Sequence, residues 1–168
     1  MGAFFDWMHG PGAPGRTPIM RSSMDAIRKS AADRGSKLGL SYAGALLPAE
    51  AHRLMQSGVK LVDVRTKPEL QYVGKIPGTL AIEWQTWPGG KPNPEFLGEL
   101  AAAVGKDEPV MFLCRSGARS HSAAEAATRA GWKETYNVLE GFEGDKDGQE
   151  HRNAVNGWRK AGLPWVQS

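Results

Sequence analysis

Alternation constrains this chain more than any other feature: short apolar, strand-like runs trade places with helix-like runs, and glycine or proline separates them. The strand-like runs are a short extended piece near Tyr42, then Lys60 to Val64, Thr79 to Ile82, Val110 to Leu113 and Thr135 to Leu139. Between them the pattern predicts a helix opening at Pro48 and ending at Gly58, and a short one over Lys67 to Val73 with a turn from Gly74 to Gly78. A third helix is capped by Asn93, with Pro94 at its first position, and runs towards Val104 before Gly105. The alanine-rich run from Ser120 to Gly131 is a fourth, with Ser120 as cap and Gly131 as the left-handed residue that ends it. A last helix is expected over Glu150 to Ala161. Apolar strands alternating with helices predict an α/β fold, a mostly parallel central sheet flanked by helices on both faces. In such sheets ligands bind beyond the carboxyl ends of the strands.

Residues 1 to 40 read differently. Met1 to Pro18 is rich in glycine and proline and carries Phe4, Phe5, Trp7 and Met8, the composition of an irregular arm. Ser23 caps a predicted helix through Arg34, with Met24, Ile27 and Ala31 on one side, before Gly35 and Gly39 break it. The expected organisation is an N-terminal arm and helix over 1–40 and a catalytic domain over 41–168. An exposed aromatic cluster would be sticky, so docking on the parent domain is expected first. A second copy, giving a homodimer through the arm, and another partner are the alternatives.

Charge narrows the partners. The first 40 residues hold six basic and three acidic residues, and the rest is balanced, so a basic surface would have to be the arm alone. No nucleic-acid motif or aromatic platform accompanies it, and no nucleic-acid partner is expected. No apolar run is long enough to span a bilayer, and no membrane partner is expected. Asp6 among the first aromatics argues against a secretory signal and, standing where Ser or Thr is wanted after Met1-Gly2, against myristoylation. One cysteine permits no intrachain disulfide, which suits a reducing, cytoplasmic setting. Scattered histidines and the Asp145, Lys146, Asp147, Gly148 stretch lack metal-ligand spacing, so neither a metal nor a cofactor is expected.

That cysteine, Cys114, follows directly on the apolar run Val110 to Leu113 and opens the stretch Cys114, Arg115, Ser116, Gly117, Ala118, Arg119, Ser120. A thiol on a strand-to-helix turn faces unpaired backbone N–H groups and the positive end of a helix dipole, and Arg115 and Arg119 add two cations. All of these favour an anionic sulfur. Gly117 lets the backbone curl with N–H groups pointing inward. Ser120 reads as a cap before it reads as a ligand. Asp63 and Arg65, at the end of a neighbouring strand, are expected to hold the site by hydrogen bonding. His121 is expected on the helix surface near the loop. Trp84, Trp87, Trp158 and Trp165 read as packing, with Trp84 or Trp87 placed to wall a pocket.

The loop resembles the active-site loop of the rhodanese-like sulfurtransferases, whose cysteine heads a turn of six residues curled around a sulfur atom. Leu61, Val62, Asp63, Val64 and Arg65, followed by Glu69, Tyr72, Gly74, Lys75, Ile76, Pro77, Gly78 and Thr79, are similar to the family's upstream signature. Lys75 stands where that signature has His, and Thr79 where it has Ala. Asn137 to Phe142 and Gly157 to Trp165 look like the closing segment of single-domain members. The resemblance covers roughly residues 41 to 168, and it implies a thiosulfate sulfurtransferase.

The resemblance implies a catalytic Cys114 that takes the outer sulfur of thiosulfate or a similar donor as a persulfide and passes it to cyanide, a thiol or a protein acceptor. Arg115, Ser116, Gly117, Ala118, Arg119 and Ser120 would bind substrate and persulfide. Arg115 points to thiosulfate or a protein persulfide, since mercaptopyruvate enzymes of the family carry small uncharged residues there. Phosphatase or arsenate-reductase relatives need five residues between cysteine and arginine, and here four separate Cys114 from Arg119. The other alternative is a partner-binding sulfur-relay module recruited through the arm.

Overall fold

The computed structural model describes residues 17–168. In chain order the elements are α1 (Pro18–Lys37), β1 (Gly44–Leu46), α2 (Pro48–Gln56), β2 (Lys60–Asp63), a π-helical turn (Glu69–Val73), β3 (Leu80–Ala81), β4 (Gln85–Thr86), β5 (Lys91–Pro92), α3 (Phe96–Ala103), β6 (Val110–Leu113), α4 (Ala118–Arg129) and β7 (Thr135–Val138). Five strands form one parallel sheet in the order β1-β7-β6-β2-β3, so β6 is central and β2 and β7 flank it. The expected mostly parallel α/β sheet is present. β4 and β5 form a separate antiparallel ribbon that the alternation did not signal.

Side chains of successive strand residues point to opposite faces, and the two halves of the core follow that rule. Leu61, Met111 and Leu113 pack with Met24, Ile27 and Ala31 of α1 and Leu54 of α2. Val62, Val110 and Phe112 pack on the other side with Phe96 and Leu100 of α3 and Ala123, Ala124 and Ala127 of α4. Continuous apolar runs such as β6, buried at all four positions, belong to strands covered on both faces. Among the described residues, no helix is long and apolar enough to cross a membrane.

Several boundaries differ from those expected. α1 starts at Pro18, where Thr17 Oγ1 accepts the Met20 N–H at 3.3 Å, so Ser23 lies inside the helix rather than at its start. Gly35 does not break it. A Cβ there would lie 3.0 Å from Gly44 Cα, and one on Gly44 would lie 2.5 Å from the Ala31 carbonyl. Two glycines thus let helix and strand approach closely, and α1 joins the sheet's own core. Phe4, Phe5, Trp7 and Met8 lie outside the described residues.

α3 begins at Phe96, because Asn93 closes the turn ahead of it: its Oδ1 accepts the Glu95 N–H at 3.0 Å and its Nδ2 donates to the Glu83 carbonyl at 2.8 Å. The helix expected over Glu150 to Ala161 is a series of turns. Glu150, Asn153 and Gly157 all have positive φ (63°, 66° and 105°), which a right-handed helix excludes. The segment bonds to the turn after β7 instead: Asn153 N–H donates to Glu143 and Trp158 N–H to Gly141, each at 2.8 Å. Trp158 is fully buried there, and an antiparallel bridge between Lys75 and Val166 ties the last residues to the β2–β3 connection.

Candidate active site

β6 carries Cys114 to the carboxyl edge of the sheet. By alternation its side chain continues the face of Val110 and Phe112, and it is 1 % exposed. The chain then curls back through Gly117, at φ 112° and ψ −11°, a conformation that suits glycine. The curl aims the Gly117 N–H at Cys114 Sγ, 3.1 Å away. α4 starts at Ala118, so its first N–H groups lack carbonyl partners within the helix and its positive end lies at the sulfur. The thiol is therefore packed away from bulk water, on the floor of a turn whose Gly117 amide faces inward.

Ser120 does not cap the helix. Gly117 occupies the N-terminal cap position, which makes Ser120 the third residue of α4 and turns it inward, fully buried. Its Oγ lies 3.2 Å from Cys114 Sγ and its hydroxyl donates to Asn137 Oδ1 at 2.6 Å. Asn137 Nδ2 donates in turn to the Gly117 carbonyl at 3.1 Å. The turn after β7 supports the loop from behind: Phe142 N–H donates to the Cys114 carbonyl at 2.8 Å and Glu143 N–H to the Arg115 carbonyl at 3.0 Å. Gly141, at φ 64°, is indispensable to that approach, since a Cβ there would sit 2.5 Å from the Cys114 carbonyl oxygen.

The two loop arginines have separate positions. Arg119 is engaged by Glu69 through two hydrogen bonds, at 2.8 and 2.9 Å. Glu69 also accepts from the Thr66 N–H and hydroxyl, each at 2.8 Å. Burial pushes the Glu69 carboxyl up, but the bonds from Arg119 and Thr66 outweigh it and bring it down from 4.5 to about 2. The same bond raises the Arg119 guanidinium. Arg115 is exposed and, among the described residues, has no ion-pair partner. Arg115, Arg119, Glu69, Tyr72 and Trp87 line an open cleft of about 760 Å³. Ser116 is half-buried and Ala118 exposed. Of the tryptophans, Trp87 walls the cleft while Trp84 packs edge-on against Phe96 at 5.0 Å between centroids.

Asp63 and Arg65 hold each other. Both are fully buried, with Arg65 Nη2 2.7 Å from Asp63 Oδ2 and its Nε 3.0 Å from Oδ1. Arg65 Nη2 also donates to the Gly74 carbonyl at 2.9 Å, and the guanidinium lies over the Phe142 ring at 4.2 Å. Phe142, whose ring the Arg65 guanidinium covers, links the pair to the loop, its N–H holding the Cys114 carbonyl. His121 is half-exposed, with Nδ1 2.7 Å from the Tyr42 hydroxyl and Nε2 paired with Glu125. Burial pushes the Tyr42 hydroxyl up to about 12. Among the described residues, no group of three or more His, Cys, Asp or Glu is placed to hold a metal ion.

Sequence reasoning gave no site role to Glu69, Asn137 or Phe142. Each sits inside a stretch quoted for the family resemblance, but no spacing rule joins Glu69 to an arginine 50 positions away.

Known proteins resemble this chain in sequence and in fold. The model of the rhodanese-like domain family matches residues 47–147. An uncharacterized protein of Rickettsia conorii is 37% identical over 113 residues, which cover 62% of this chain and 80% of that protein. Thiosulfate sulfurtransferase 18 of Arabidopsis thaliana is 32% identical over 101 residues, covering 56% of this chain and 71% of that one. The crystal structure of Rv0390 from M. tuberculosis aligns with a TM-score of 0.70 at 44% identity, across 76% of this chain and 100% of that chain.

Proposed function

The chain belongs to the rhodanese-like domain family, and from that premise and its sulfurtransferase relatives we propose that it carries a sulfane sulfur from thiosulfate, or a similar donor, to a thiol or cyanide through a persulfide on Cys114. The observation that carries this reading is the sulfur's position on the floor of a glycine-curled loop, with the Gly117 N–H 3.1 Å away and the start of α4 beside it. Inward N–H groups and a helix N-terminus stabilise negative charge on sulfur without a metal-ligand set.

The two half-reactions balance simply. A lone pair of the Cys114 thiolate forms a bond to the outer sulfur of thiosulfate; the S–S bond of the donor breaks and sulfite leaves with its electron pair. The acceptor's carbon or sulfur nucleophile then bonds to that outer sulfur, and the Cys114 thiolate departs. Arg115, which lines the cleft, meets the donor's charge. Arg119 keeps the loop in shape through Glu69. The cleft's size and its Tyr72 and Trp87 walls support an acceptor larger than cyanide.

Thiocyanate formation from thiosulfate and cyanide tests the reading. We expect ping-pong kinetics, parallel lines in double-reciprocal plots, and complete loss of turnover in Cys114→Ser. Turnover that survives in Cys114→Ser contradicts it, and so does p-nitrophenyl phosphate hydrolysis that this substitution abolishes.

A further inference from the structure

The hydrogen bonds around Cys114 assign the direction of one proton. Asn137 Nδ2 donates to the Gly117 carbonyl at 3.1 Å, which leaves Oδ1 facing Ser120. The reverse amide orientation would set Oδ1 against a carbonyl oxygen, two acceptors in contact. Ser120 has one hydroxyl proton and gives it to Asn137 Oδ1 at 2.6 Å. Its oxygen therefore meets Cys114 Sγ, 3.2 Å away, with a lone pair, and the proton in that contact is the thiol's.

We propose that Asn137 is a positioning residue that, by holding the Ser120 hydroxyl turned away, withholds that donor from the Cys114 sulfur until the sulfur carries a negative charge. The proposal rests on Cys114 being the nucleophile. On ionisation the S–H bond breaks, its electron pair stays on sulfur and the proton passes to water. The Ser120 hydroxyl then rotates, giving up Asn137 Oδ1 and donating to the sulfur. The Gly117 N–H serves both states. A persulfide's inner sulfur has no proton to give, so the rotated hydroxyl suits that state as well. Asn137 thus sets how costly the rotation is.

Other charges act on the same sulfur. Arg119, paired with Glu69, interacts with it electrostatically, Arg115 lines the cleft, and Asp63 is paired with Arg65. Tyr42 contacts Asn137 from the segment before β1 and carries His121 and Glu125 behind it. Removing Asn137 touches Tyr42 as well as Ser120, so the test needs a background without the serine hydroxyl.

The sole cysteine makes the readout unambiguous: the rate of iodoacetamide alkylation against pH. Asn137→Ala frees Ser120 to donate to the thiolate, and we expect the profile to move about one unit towards acid, a rise of about tenfold in rate on the acid side. In a Ser120→Ala background the same substitution should produce no shift. A shift to higher pH, no shift, or an equal shift without the serine hydroxyl overturns the proposal. Should Asn137→Ala fail to fold, the infrared S–H stretch of the unaltered protein decides. We expect one band below the frequency of a free thiol, moving up in Ser120→Ala; a free-thiol band overturns the proposal. Both measurements read the thiol alone, so their failure is separable from failure to form a persulfide.

Discussion

The carboxyl ends of β2 and β6 lie side by side, Asp63 in register with Leu113, and they treat charge in opposite ways. At β2, Asp63 and Arg65 are fully buried and face each other, with Arg65 also anchored on Gly74. At β6, Cys114 meets the Gly117 N–H and the Ser120 oxygen at the open start of a helix. The first end turns its opposite charges on each other and serves as scaffold, though Arg65 Nη1 is left buried without a hydrogen-bond partner. The second keeps donors in reserve for an anion, and it borders the cleft. Equal proximity to the sheet edge does not make equal partners in chemistry: what matters is whether a charge faces its counter-charge or the start of a helix.

The comparison breaks most visibly at the scaffold. Asp63→Ala leaves the Arg65 guanidinium buried without its counter-charge, and we expect a loss of about 3–5 kcal/mol in denaturant unfolding. A loss below about 1 kcal/mol, the range of a surface pair, would mean that Arg65 finds other partners.

Glu69→Gln sharpens the boundary between scaffold and site. The Glu69 carboxyl lies near 2 in the folded chain against 4.5 ordinarily. Its stabilisation is therefore whole above 4.5 and is lost as pH falls towards about 2. The stability difference between Glu69→Gln and the parent should be large at neutral pH and shrink across that window. A pH-independent difference would show that the Arg119 pair contributes no charge linkage.

The smallest effect is expected at Arg115, the uncommitted guanidinium. Arg115→Ala should raise the KM for thiosulfate by about tenfold, the worth of one charge-assisted hydrogen bond, and leave kcat nearly unchanged. The same change at Arg119 releases Glu69 and should appear first as lower stability. A kcat effect larger than the KM effect at Arg115 would move it from binding into the transition state.

Much of this was legible in the chain. Strand-like runs of four or five residues marked β2, β6 and β7, and the position of Cys114 just after the apolar run of β6 placed it at the sheet edge. The helix expected at Glu150 to Ala161 failed because amphipathic spacing takes no account of the left-handed turns and the docking of Trp158 beneath Gly141. Ser120 was misread as a cap because Gly117 can take that position with a φ that other residues avoid, which moves every later residue of the loop into the helix. Glu69 and Asn137 were out of reach for a different reason. Their partners are distant in sequence, and only the parallel order of β7, β6 and β2 brings them together.

Intact-mass measurement of the protein after incubation with thiosulfate, under non-reducing conditions, tests the central claim most directly. The account predicts a gain of one sulfur atom that maps to Cys114 and is removed by cyanide. An unchanged mass, or a sulfur gain that persists in Cys114→Ser, would contradict it.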